Sequence, residues 1–251
     1  MSYNLFVQQG IDSCVQVSTV VDDLAFAQTI ATALRTHSIA PPEDVPELNN
    51  ALQGNLCEFC IWDMGDRLWK IYHRANTWPS NADSPWRPSS DPGIDILALT
   101  GVDDSLSLII VEAKSSQKNG INLIVGNSST LQTDFQHLFA GHVQNRLLTR
   151  VGDILFEFTI RRSRPDLASR IHSLVGKSPT ESPNIKLVGV LICSRGNESS
   201  RQSRISAFEQ LRAHLRTQGW SDNQIEFRCI EVTNFVKWIV EVVDRSVNGS
   251  V

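Results

Sequence analysis

The sequence predicts an α/β fold: a mixed β-sheet flanked by helices, in the order α-β-β-β-α-β, behind an N-terminal extension. Three observations predict it. The run Ile185-Lys186-Leu187-Val188-Gly189-Val190-Leu191-Ile192-Cys193 is almost continuously apolar, as in a strand buried on both faces. Two further apolar, β-branched runs, Gly93–Leu99 and Ser107–Ser116, flank the turn residues Gly101-Val102-Asp103-Asp104 and read as an antiparallel hairpin. Segments with apolar residues at helical spacing lie between and around these strands.

In chain order, residues 1 to 20 carry short alternating stretches, including Ser13–Val20, that suggest a strand or two. Asp22 and Asp23 are caps for a helix running to about Arg35, with Leu24, Ala27, Ala31 and Leu34 at helical spacing. Pro41, Pro42 and Pro46 mark a linker, so residues 1–45 form an accessory layer and 46–251 the main domain. A helix then spans about Pro46 to Trp62 through Leu48, Leu52, Leu56, Phe59 and Cys60, and Glu58 lies on it. Arg67–His73 alternates and is expected to be the first core strand. The stretch from Asn76 to Pro92 holds Pro79, Pro85, Pro88 and Pro92 with Trp78 and Trp86. Such a loop can gate a site and offer a Trp to a base, but anchoring of the loop by both Trp residues is the simpler role.

Beyond the hairpin, Gly126–Thr130 is a polar turn before a helix from about Leu131 to Leu148. Leu131, Phe135, Leu138, Phe139 and Val143 form its apolar side; Gln132, Asp134, Gln136, His137, His142 and Gln144 are its polar members. His137 and His142 are five apart and do not share a helix face, which argues against a metal pair. Residues 151–183 read as an insertion. Its Gly176-Lys177-Ser178 lacks an upstream glycine at P-loop spacing, which discounts nucleotide binding. After the strand at 185–193 come a basic helix over about Ser203–Gln218, stopped at Gly219, a strand over Ile225–Val232 and a closing helix from Asn234 to about Arg245.

The chain has 251 residues, 41% hydrophobic and 20% charged, which suits a folded α/β protein. Its net charge of −4 excludes a generic polyanion binder, but the charge is uneven. Acidic side chains dominate the first 64 residues, whereas Arg146, Arg150, Arg161, Arg162, Arg164, Arg170, Lys177, Arg195, Arg201, Arg204, Arg212 and Arg216 follow later. That later stretch is either a phosphate-facing surface or a set of solvated helix faces. The five Cys residues are odd in number and scattered, as expected of a reducing compartment. Cys57 and Cys60 fit C-x-x-C without a second pair, so buried helix thiols are expected rather than zinc. No signal-peptide pattern or apolar run long enough for a membrane span is evident, and a cytoplasmic, soluble protein is expected.

The chemistry concentrates at the hairpin. Glu112 and Lys114 are two residues apart on one strand and share a face, while Ala113 points to the other. Asp95 interrupts the preceding strand and can lie beside Glu112. Two carboxylates at that range are a hard-oxygen site for Mg²⁺ or Mn²⁺, and Lys114 stands where it can orient or help activate water. These are the parts of metal-assisted phosphodiester hydrolysis; the bland alternative is a polar network on a half-exposed hairpin. Ser115 and Ser116, just beyond, are candidate phosphate contacts.

Gly93-Ile94-Asp95, a hairpin turn and then Val111-Glu112-Ala113-Lys114 resembles the motif of the PD-(D/E)xK nuclease superfamily, with Ile94 in the place of the Pro. The resemblance covers roughly residues 47 to 148, with weaker support to 245. It implies a restriction-endonuclease-like core. It also implies Mg²⁺ (or Mn²⁺) on Asp95, Glu112 and the backbone carbonyl of Ala113, with Glu58 completing the set, and a site-facing Gln132 or Gln136 on the following helix. Within the superfamily the chain most resembles the HamA-like nuclease subunits of Hachiman anti-phage systems. The grounds are its size, the N-terminal extension, Gly-Ile-Asp-Ile-Leu-Ala with Val-Glu-Ala-Lys-Ser, and the closing strand and helix. That resemblance implies a DNA-cleaving effector in a hetero-complex with a helicase, docked through the acidic N-terminal layer. A stand-alone restriction- or repair-type nuclease is one alternative. A non-catalytic DNA-binding or assembly subunit is the other, although its usual signature is loss of the Asp, Glu or Lys.

Overall fold

The computed structural model describes residues 6–12, 15–42, 48–74, 85–86, 94–101, 105–136, 138, 151–152, 154–176 and 178–248. Seven strands form one mixed sheet: β1 (Phe6–Asp12), β2 (Val15–Val20), β3 (Ile71–Arg74), β4 (Ile96–Thr100), β5 (Ser107–Ser116), β6 (Ile185–Ser194) and β7 (Ile225–Val232). Their spatial order is β1-β2-β7-β6-β5-β4-β3. β2, β7, β6 and β5 run parallel to one another, and β4, β3 and β1 are added antiparallel at the two sides. The most apolar strand takes the centre: every residue of β6 except Lys186 and Ser194 is buried, as both-face burial requires.

Helices cover both faces. α1 (Asp23–Thr36), α2 (Asn50–Trp69) and α6 (Phe235–Asn248) lie on one; α3 (Leu131–Gln136), α4 (Pro165–Ser173) and α5 (Glu198–Thr217) lie on the other. The period of two along each strand divides the core between them. Ile109, Val111, Val188 and Val190 pack under the first set, and Leu108, Ile110, Leu187 and Leu191 under the second.

Several elements follow from local chemistry. Asp22 caps α1, its Oδ1 accepting from the N–H groups of Leu24 at 2.9 Å and Ala25 at 3.1 Å. Leu24, expected to face inward, is exposed in the first turn and lines an open cavity, while Phe26, Ile30 and Leu34 bury. The N-terminal segment is built into the sheet: β2 pairs with β7, and Phe26 of α1 stacks on Trp238 of α6 at 5.2 Å.

The larger departure from expectation is at α2. Asn49 caps it, and it runs on to Trp69, through residues whose alternation suggests a strand. Trp69 packs into the core, Lys70 takes a left-handed φ of 52° that ends the helix, and only Ile71–Arg74 is left to form the edge strand β3. α5 starts earlier than expected because Asn197 caps it, its Oδ1 accepting from Ser200 N–H at 2.9 Å. Gly219, at φ 95°, follows its end. Residues in the expected insertion pack on the core through Ile154, Phe158, Leu167 and Ile171. Trp86 is buried. Trp78, Val102–Asp104, Cys14, His137, His142 and the rest of the helix expected to reach 148 lie outside the described residues. Among the described residues, no helix is long and apolar enough to cross a membrane.

Candidate active site

The hairpin register builds the site. Ile96 pairs with Val111, so Asp95, one residue before β4, stands opposite Glu112. Asp95 is tied down by its neighbour strand: the Ala113 N–H donates to Asp95 Oδ2 at 2.6 Å. The Asp95 carboxyl stands beside that of Glu112, whose hydrogen-bonding influence lowers its pKa. Glu112 is buried, and it faces, with Ile110 and Leu108, the layer made by α3 and α5. Lys114 shares that face, and its Nζ lies 2.7 Å from Asp134 Oδ2 on α3.

α3 is held in place by contacts independent of the charges. Thr130 N–H donates to Thr133 Oγ1 at 2.9 Å, and Thr133 N–H donates back to Thr130 Oγ1 at 3.2 Å. Leu131 and Phe135 are buried against the sheet. Directly beside Glu112 in register is Gly189. A Cβ there would lie 3.2 Å from Leu131 and 3.0 Å from Phe227, so the glycine lets α3 seat close to the strand that carries the carboxylate.

The electrostatics are unbalanced. Burial pushes the Asp95 carboxyl up to about 6 from an ordinary 3.8; the Lys114 charge and the Ala113 N–H oppose that, and the Asp134 charge adds to it. Glu112 is raised well above the ordinary carboxylate range, first by burial and then by the charges of Asp95 and Asp134. Burial alone would lower Lys114, but the Asp134 and Asp95 carboxylates outweigh it and hold the ammonium above its ordinary range. Three carboxylates thus share one cation, an arrangement that stabilises added positive charge.

The remaining expected residues fall as follows. Glu58 is half-buried on α2, on the opposite helical layer; its charge raises Glu112 as the smallest of the contributions. Ala113 presents its N–H to Asp95, and its side chain enters the core under α2. Ser115 hydrogen-bonds Cys57 of α2, on that same layer, whereas Ser116 Oγ accepts from Lys118 N–H at 3.1 Å. Gln132 and Gln136 are half-buried on α3, either side of Asp134. Asp134 is the residue missed as a site member: three polar residues at alternate positions on one short helix cannot be ranked from sequence, and only the Lys114 contact separates them.

Among the described residues, no three His, Cys, Asp or Glu side chains converge as a ready metal-ligating group. The donor set brought together is the Asp95 and Glu112 pair. Cys57 and Cys60 are buried helix thiols, as expected, and burial raises both. The basic stretch is substantially engaged in internal pairs: Arg164 with Asp166, Arg201 and Arg204 with Glu231, and Arg212 with Asp222. Arg146, Arg150 and Lys177 lie outside the described residues. A cavity opens elsewhere, between the starts of α1 and α6, lined by Asp22, Leu24, Asn234, Trp238 and Glu241; none of the candidate site residues lines it.

No family model matches the chain, and no curated protein matches it.

Proposed function

We propose that the protein is a metal-dependent nuclease that hydrolyses phosphodiester bonds in nucleic acid, on a restriction-endonuclease-like core. The observation that carries this reading is the joining of the Asp95 and Glu112 carboxyls across the hairpin, with Lys114 on the same face. The pair fits a hard divalent cation: both groups are carboxyl oxygens, both are raised by burial, Glu112 further by the charges of Asp95 and Asp134 and Asp95 further by that of Asp134, and the nearest ammonium is engaged by Asp134. Asp95, Glu112 and the Ala113 carbonyl would hold Mg²⁺ or Mn²⁺, and Glu58 is the further candidate.

When bound, such an ion supplies a nucleophilic water near neutral pH and neutralises charge on the phosphate. The chain's own residues do the rest. Ala113 N–H holds Asp95 in place. Glu112 stands opposite Asp95 across the hairpin and beside Gly189 on the next strand. Lys114 presents a fixed positive charge to the phosphate as negative charge develops on it.

The resemblance of the motif, the N-terminal extension and the closing strand and helix to Hachiman nuclease subunits supports a more specific reading. In it the chain is a DNA-cleaving effector subunit of an anti-phage system, acting with a helicase partner.

The test is degradation of plasmid and linear DNA with Mg²⁺ or Mn²⁺, by wild type beside Asp95→Ala and Lys114→Ala, each shown to be folded by circular dichroism. The expected result is metal-dependent cleavage by wild type and a loss of at least about a thousandfold in both variants. Equal cleavage by all three overturns the proposal, as does none by wild type both alone and with a helicase partner added.

A further inference from the structure

We infer that Asp134 is the positioning residue for Lys114, and that it keeps the ammonium off the Asp95 and Glu112 pair so that the pair stays open to a cation. The role in cleavage rests on the nuclease reading; the placement of Lys114 does not.

Lys114 carries its charge on a flexible four-carbon stem, and two carboxyl groups lie within its electrostatic reach, at Asp95 and Glu112. Left to itself the ammonium would fold onto them, because a lysine beside a buried carboxylate is the ordinary way to neutralise it. Among the described residues, however, the ion pair Lys114 makes is with Asp134, at 2.7 Å. Asp95 is engaged by the Ala113 N–H and by Glu112 instead. One carboxylate therefore takes the lysine, and two remain paired with each other.

The position of Asp134 is set by the seat of α3. Leu131 and Phe135 anchor the helix, and the bare Cα of Gly189 admits Leu131 beside Glu112. The Thr130–Thr133 exchange fixes its first turn. The Lys114 and Asp134 side chains keep 22% and 29% of their surface exposed, so the pair is partly screened by solvent. A variant at Asp134 is thus expected to fold.

Two measurements test this. The first is a metal-free crystal structure of Asp134→Ala. Lys114 Nζ is expected to move into salt-bridge distance of Asp95 or Glu112; a Nζ that stays in its present place overturns the inference. The second is kinetic, on Asp134→Asn, which keeps the shape and removes the charge. A fall in kcat of about 10- to 100-fold, as for partners that orient a site's ligands, is expected with KM within about twofold of wild type. In the Lys114→Ala background the same substitution should add no further loss. An unchanged kcat, or an additive loss in that background, overturns the positioning role. If wild type cleaves nothing, alone or with a helicase partner, the nuclease reading falls by itself, and the crystal structure still decides where Asp134 holds the lysine.

Discussion

Glu112 on β5 and Glu231 on β7 are both buried carboxylates at parallel strands of one sheet, and their surroundings are opposites. Glu231 is fully enclosed and fully matched: Arg204, itself buried, pairs with Oε1, Arg201 Nη2 reaches Oε2 at 2.7 Å, and Thr19 Oγ1 donates to Oε2 at 3.1 Å. Burial there pushes the carboxyl up, but the Arg201 hydrogen bond and the two guanidinium charges outweigh it and hold Glu231 below its ordinary range. Glu112 has burial without that match, its neighbours are carboxylates, and it is held well above its ordinary range. Two cations to one anion in the first case is a structural clasp between β7, α5 and β2. Three carboxyl groups to one cation in the second is a surplus of acid over base. A buried charge cluster is therefore read as clasp or site by its balance.

Breaking the clasp should have the larger effect. Arg204→Ala leaves Glu231 enclosed with one of its three partners gone, which is expected to cost about 3–5 kcal/mol, read as a lower urea midpoint. A loss below about 1 kcal/mol would show that the two clusters are energetically alike.

The opposite sign is expected at the site. Asp95 is raised from 3.8 to about 6, and Glu112 is raised too. As pH rises past the ordinary carboxylate range the unfolded chain gives up these protons first, so the folded state binds more protons and stability falls until both groups have ionised. Glu112→Gln removes one such group. It should therefore stabilise the protein above about pH 7, with the gain vanishing near pH 4. A loss of stability at neutral pH would place Glu112 with Glu231 as a clasp.

The parts legible in the sequence are those set by short-range pattern. Asp95, Glu112 and Lys114 follow from a period of two on two strands and a turn between them, and the structure brings Asp95 to Glu112 in that register. The central strand at Ile185–Cys193 and the last strand follow from continuous or alternating apolar residues. The end of α2 does not, because Arg67–Ile71 alternates like a strand while Trp69 is buried by a helix that Lys70 terminates. Asp134 is invisible beside Gln132 and Gln136 until Lys114 chooses among them. Glu231 reads as one more residue of an alternating strand; its arginines come from another helix, and Thr19 lies 212 residues away in sequence.

The most direct test of the surplus as a cation seat is thermal unfolding of wild type and Glu112→Gln near neutral pH, with and without Mn²⁺. An ion at about a hundred times its dissociation constant stabilises a folded state by about 2.7 kcal/mol, and for a chain of this size that raises Tm by several degrees. The predicted result is such a rise in wild type and none in Glu112→Gln. An equal response in the two proteins, or none in wild type, would contradict the account.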